Sequence, residues 1–163
     1  MPGPLNQESV IRVRETLARL GATGEIRHLD ESARTAIEAA NALGIEVGQI
    51  ASSLIFLANS RPVLVIASGA HRVDTERLSR VLSGAIIDKA NATGVRIATG
   101  FAIGGVAPVG HPEPLRTVVD TALSQFETVW AAAGHPHCVF PTTYDELLRI
   151  TGGEAAEVGE EPN

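Results

Sequence analysis

The sequence predicts a mixed α/β domain, a twisted, barrel-like sheet of parallel and antiparallel strands surrounded by helices. Three observations point there. Amphipathic segments of helix length alternate with apolar segments of strand length along the 163 residues. Two apolar runs, Leu54 to Ala58 and Val63 to Ala67, are separated only by Asn59-Ser60-Arg61-Pro62, which is hairpin spacing. Several other strand connections are too short for the right-handed crossover of a parallel pair, so both strand directions must coexist.

Residues 8–20 set Val10, Val13, Leu17 and Leu20 at helical spacing, with Arg12, Arg14, Glu15 and Arg19 largely on the other face and Gly21 as a stop. Glu25 to Leu29 reads as a short strand. Thr35 and Glu38 form a capping box for a helix running to Leu43 and ending at Gly44. From Gly48 to Ala58 the chain passes from small polar residues into an apolar run, the pattern of a strand buried on both faces. Pro62 to Ser68 is its hairpin partner, and the two strands should form the centre of the sheet. Asp74 is placed as N-cap of a third helix, with Val73 set to staple onto Leu78 and Gly84 near the end. Ala85 to Asp88 reads as a strand and Lys89 to Ala98 as a helix that delivers the chain to a glycine-rich stretch. Arg116–Asp120 and Glu127–Ala133 are further strands around a helical turn at Thr121–Phe126. Thr143 and Glu146 form a second capping box, for a helix that carries Leu147, Leu148 and Ile150 inward and stops at Gly152-Gly153. The acidic tail, residues 159–163, is expected to fray. No internal repeat is visible, and one domain spans residues 1–163 with its core at about 8–158.

With 44% hydrophobic residues the chain can bury one substantial core. A formal charge of -6 argues against coating nucleic acid through a broad basic surface, because that affinity comes from neutralising many phosphates. Local contact with one end of an RNA stays allowed. Four Phe, one Trp and one Tyr make no obvious platform for stacking single-stranded bases. The single Cys138 excludes an internal disulfide framework and a Cys-based zinc cage, and suits a reducing cytoplasm. No secretory segment is visible in the residues before the first helix, and no apolar run is long enough to span a bilayer.

The most distinctive stretch is Gly100-Phe101-Ala102-Ile103-Gly104-Gly105-Val106-Ala107-Pro108-Val109-Gly110-His111. The Gly104-Gly105 pair removes two β-carbons, so successive backbone N–H groups can face a ligand or a neighbouring strand. Pro108 and Gly110 fix the exit of the loop. A bulged strand connection accounts for the same residues, and both readings stand. Neither a Walker loop nor a dinucleotide fingerprint is present. His135 and His137, two apart on a segment read as extended, would share a face and could hold a metal together, although a structural zinc asks for four ligands. A turn or surface role for His135 competes with that. Cys138 reads as a buried small hydrophobe. Ser52 and Ser53 lie at the mouth of a strand but in no nucleophile elbow. Asp74 is accounted for as a cap, whereas Arg72 is free to meet a phosphate.

Ala39-Ala40-Asn41-Ala42-Leu43-Gly44, Gly48-Gln49-Ile50-Ala51-Ser52-Ser53-Leu54, Thr99 to Val106 and Ala133-Gly134-His135-Pro136-His137 occur in an order that resembles the YbaK family. These are free-standing relatives of the editing domain inserted in bacterial prolyl-tRNA synthetases. The resemblance covers about residues 8–158 and implies a barrel-like mixed sheet and hydrolysis of the ester bond of a mischarged aminoacyl-tRNA, without cofactor or metal. It implies that Gly104 and Gly105 offer amides to the developing oxyanion and that His137 stands near the amino-acid pocket; Ser52, at a position that departs from the family, is read with them as lining the catalytic site. Ser53, Arg72, Ile103, Val106, Pro108 and Gly134 would line the substrate. The partner implied is a tRNA 3′ acceptor end carrying a small amino acid, with an aminoacyl-tRNA synthetase as a second. Many members carry lysine where this chain has Ser52, and the only lysine here is Lys89. That departure leaves a second reading, a binding or regulatory module with the same fold that has lost hydrolysis. A metal hydrolase built on His135 and His137 is a third.

Overall fold

The computed structural model describes residues 3–160. Helix α1 (Glu8–Arg19) buries Val10, Val13 and Leu17 and keeps its arginines outward, as its spacing requires. Strand β1 (Arg27–His28) is shorter than the expected 25–29 segment. Helix α2 (Ala36–Leu43) starts where Thr35 accepts the Glu38 N–H and ends at Gly44, whose left-handed backbone (φ 70°) closes the C-cap. Residues Val47–Gln49 form a 3₁₀ turn, so strand β2 begins only at Ile50 and runs to Ala58.

Strand β3 (Arg61–Ser68) returns antiparallel across a two-residue turn. Asn59 and Ser60 both have positive φ (49° and 69°), so Arg61 and Pro62 belong to the strand and not to the turn. Helix α3 (Thr75–Val81) is capped by Asp74, and Val73 packs into the Leu78 cluster as the staple predicts. Strand β4 (Ile87–Lys89) and helix α4 (Ala92–Thr99) begin two or three residues later than expected, because Asn91 accepts the Gly94 N–H and sets the helix start.

The remaining elements are β5 (Arg116–Asp120), β6 (Val129–His135), β7 (Cys138–Thr142), α5 (Tyr144–Thr151) and β8 (Glu154–Ala156). Thr143 caps α5 by accepting the Glu146 N–H, but the Glu146 carboxylate is taken by Thr142 (2.7 Å), so the second half of the expected box is absent. Strand β8 has no counterpart in the sequence reading. It is held by parallel pairing with β5 and not by an apolar pattern of its own.

All eight strands join one mixed sheet in the order β1-β7-β6-β2-β3-β5-β8, with β4 attached to β2. The β2–β6, β3–β5 and β5–β8 pairs are parallel and the others antiparallel. The hairpin β2–β3 lies at its centre, as the two apolar runs predict. Leu64, Val65 and Ile66 are fully buried, each removal from water contributing about 1.5–3 kcal/mol. The expected fraying of the tail does not hold for its described part: Gly159 bridges Val73, and Glu160 N–H donates to the Arg72 carbonyl (2.8 Å). The rest of that tail lies outside the described residues. No helix among the described residues is long and apolar enough to cross a membrane.

Candidate functional site

Strand β2 is not buried on both faces, and the reason lies in its neighbours. Strand β6 pairs only with Ile50 and Ala51, and β4 only with Phe56 to Ala58, so the edge at residues 52–55 is left open. The Gly69 N–H donates to the Ile50 carbonyl, which fixes the alternation: backbone groups of Ser52 and Leu54 face β3, and those of Ser53 and Ile55 face the open edge. Side chains alternate as well. Ile50 packs under α2 and Phe56 under α3, and between them Ser52 and Leu54 are uncovered, Leu54 at 39% exposure.

Over this gap opens a cavity of about 810 Å³, within the usual range of about 300–1,000 Å³ for small-molecule sites. Ser52, Ser53, Arg72, Ile103, Gly104 and Val106 all line it. Small residues along its walls, including Ala36, Ala39, Ala67 and Ala132, leave the space unfilled. The Ser53 hydroxyl is buried without a hydrogen-bond partner, an exception to the rule that buried polar atoms are paired.

The two glycines of the loop part company. Residues Ala102 to Gly105 form a tight turn in which the Gly105 N–H donates to the Ala102 carbonyl (3.0 Å) and Gly104 takes φ 93°. Only the Gly104 amide is left without a partner among the described residues. Gly105 lies off the cavity lining, and a β-carbon there would sit 3.0–3.2 Å from the His135 backbone, so this glycine permits close packing on β6. The loop is therefore a turn and not a bulged strand: Gly105 serves packing on β6, and Gly104 leaves an unpaired amide beside the cavity. Arg34, which the sequence did not single out, lays its side-chain stem against Gly104.

His137, Gly134 and Pro108 also lie off the lining. The His135-Pro136-His137 segment is not extended, because Pro136 and His137 form the turn between β6 and β7. His135 Nδ1 accepts the His137 N–H (3.0 Å), and His137 Nδ1–H donates to the Leu29 carbonyl (2.9 Å). Burial, then the neighbouring His137 and His28 rings, pushes the His135 pKa down. Gly134 (φ 95°) lets α1 approach, and its carbonyl accepts the Ser9 hydroxyl (2.8 Å). Pro108 is buried within the loop. Cys138 is buried as expected, and burial pushes its thiol up to about 11, far from a reactive thiolate.

On the cavity wall contributed by the end of β3, His71 contacts the Asp120 carboxylate through Nε2 (2.5 Å). Asp120 is fully buried and also accepts the N–H groups of Ser68 and Ala122 (both 3.0 Å). Three cations, Arg34, Arg72 and Lys89, line the same cavity, and none has a carboxylate partner among the described residues. Glu160 is the one acidic residue beside them on the lining. Sequence reasoning missed Arg34, His71 and Asp120. The available signal was Asp120 itself, a carboxylate closing the buried strand Thr117-Val118-Val119.

A mixed α/β domain that opens a cavity at a broken strand edge, beside a glycine turn and unpaired cations, has the form of a ligand-binding domain. The chain belongs to the aminoacyl-tRNA editing domain family, whose model matches residues 30–150. This agrees with the resemblance carried by the ordered motifs. A solved structure of a candidate trans-editing enzyme for prolyl tRNA synthetase superposes with a TM-score of 0.88 at 42% identity, covering 95% of this chain and 99% of that one. The hypothetical protein APE2540 superposes with a TM-score of 0.85 at 30% identity, over 91% and 99%. The uncharacterized protein YwhH of Bacillus subtilis is 28% identical over 144 residues, 88% of this chain and 91% of its own. The proline–tRNA ligase of Latilactobacillus sakei is 29% identical over 149 residues, and the match spans only 25% of that longer enzyme.

Proposed function

We propose that this protein hydrolyses the ester bond of a mischarged aminoacyl-tRNA in trans, the acyl group being small. The observation that carries the reading is the Gly104 amide, which has no partner among the described residues and stands on the wall of the cavity in a domain of the aminoacyl-tRNA editing family. An N–H fixed in a turn can receive the negative charge that builds on the ester oxygen, and one such donor is worth about 10²–10³ in rate. Arg34, Arg72 and Lys89 suit the phosphodiesters of a tRNA 3′ end on a chain whose net charge of -6 would otherwise repel it. Lys89 also bears on the departure at Ser52. The positive charge missing from β2 is present on β4 within the same cavity, so Ser52 gives no support to a module that only binds. The small-residue walls favour a compact acyl group, and Ser52 and Ser53 offer it hydroxyls. His137, by tying Leu29 to the hairpin, holds the segment that carries Arg34. Purified protein incubated with a panel of tRNAs carrying alanine, serine, cysteine or threonine tests the proposal. Release of at least one amino acid well above the spontaneous rate supports it, and spontaneous decay throughout the panel rejects it.

A further inference from the structure

Resting on that reading, we infer that the Asp120–His71 pair is the base-orienting dyad of the reaction, with His71 the catalytic base and Asp120 its positioning residue. Among the described residues this is the one imidazole in contact with a carboxylate, and it lies on the cavity lining. The carboxylate is held in the core by two backbone N–H groups, Ser68 on β3 and Ala122 after β5, so its position does not depend on the imidazole. A buried carboxylate so fixed accepts a hydrogen bond from Nε2–H and dictates the tautomer: the neutral ring then carries its free lone pair on Nδ1. Nδ1 makes no hydrogen bond among the described residues, while the side chain remains 24% exposed.

The ring is also pinned from outside. Gly159 lies directly against it, and Gly159 is fastened by its bridge to Val73 while Asp74 N–H donates to the Val158 carbonyl (2.7 Å). A β-carbon at Gly159 would overlap the imidazole. The C-terminal segment thus fixes the base from one face and Asp120 from its edge. The charged groups on the elements around it are Asp120 on β5, the adjoining Arg72, Asp74 at the start of α3 and Glu160 on the C-terminal segment.

In the step this arrangement supports, Nδ1 takes a proton from water as the water oxygen bonds to the ester carbonyl carbon. The carbon–oxygen bond to the ribose then breaks, and Nδ1 returns the proton to the departing ribose oxygen. The products are the free amino acid and a tRNA hydroxyl, with His71 restored and no cofactor consumed.

Three measurements on the protein test this. Hydrolysis of its misacylated tRNA by His71→Gln should fall about 10²-fold or more in kcat with KM little changed, and the acidic limb of the kcat/KM pH profile should disappear. Asp120→Asn should lower kcat while leaving tRNA binding intact. Nitrogen-15 NMR of the wild-type imidazole should show the neutral ring protonated on Nε2, an observation independent of activity and of whether a variant folds. A neutral ring protonated on Nδ1, or an active wild type whose His71→Gln variant keeps its rate and pH profile, overturns this inference alone. A wild type that hydrolyses no misacylated tRNA overturns the deacylase reading, and the role of His71 with it.

Discussion

The cavity at the open edge of β2 and the β6–β7 hairpin behind the glycine turn differ in how their polar groups are spent. At the hairpin, His135 Nδ1, His137 Nδ1 and the neighbouring Gly105 N–H each have a protein partner. In the cavity, the Gly104 amide and the Ser53 hydroxyl have none among the described residues, and three cations lack carboxylates, whereas His71, like His135 and His137, has one ring nitrogen bonded and one open. A polar group buried without a partner, as the Ser53 hydroxyl is, costs free energy, and the part-exposed Gly104 amide and His71 ring are open to water or to a ligand. The hairpin is richer in reactive-looking residues, yet the buried unpaired hydroxyl and the unpaired cations lie in the cavity.

The largest expected effect separates the two glycines. Gly104→Ala places a methyl 2.4 Å from Arg34 Cγ at a left-handed φ, a flexible neighbour that can yield. It should cost about 1–2 kcal/mol of stability and lower kcat/KM about 10²-fold by crowding the amide. Gly105→Ala should do the reverse. Its methyl meets the His135 backbone, so a thermal melt should show a loss of about 1–3 kcal/mol, while the folded fraction keeps its kcat. Equal loss of activity at both positions would erase the distinction.

A smaller effect is expected at the cavity rim. Lys89→Ala should raise KM for tRNA several-fold, leave kcat nearly unchanged, and reduce the slope of log affinity against log salt by about 0.7, the value for one phosphate contact on a single strand. At the hairpin, His137→Ala should cost about 1 kcal/mol for the lost bond to Leu29 and alter kcat less than it alters KM.

The smallest effect is on the pH dependence of stability. Burial holds His111 and His135 below the ordinary imidazole value of 6.5. The unfolded chain therefore takes up protons first on acidification, so the stability present above pH 6.5 is lost as the pH falls towards the folded-state values. Melting temperature should decline from about pH 6.5 to 5, and His111→Gln should flatten that decline.

Most of the fold was legible because it rests on local signals. The capping residues Thr35, Asp74 and Thr143 set helix starts, and the apolar runs about Asn59-Ser60 define the central hairpin. Strand β8 was not legible, since Glu154-Ala155-Ala156 carries no strand pattern and is held by β5 alone. The candidate cavity was readable in part. Ser52, Ser53, Arg72 and Gly104, singled out in the sequence, do line it, but the open edge of β2 depends on how far β6 and β4 pair, which no single segment encodes. His71 and Asp120 lie 49 residues apart and meet only because β3 and β5 run parallel side by side.

The central claim is that the open-edge cavity, and not the hairpin, carries the reaction. It is tested most directly by comparing initial rates of amino-acid release from one misacylated tRNA with wild type, Gly104→Ala and His137→Ala, each shown by circular dichroism to be folded. The account predicts a rapid wild type, a His137→Ala rate close to it at saturating tRNA, and a Gly104→Ala rate about two orders of magnitude lower. A Gly104→Ala protein as fast as wild type, with His137→Ala inactive, would contradict it.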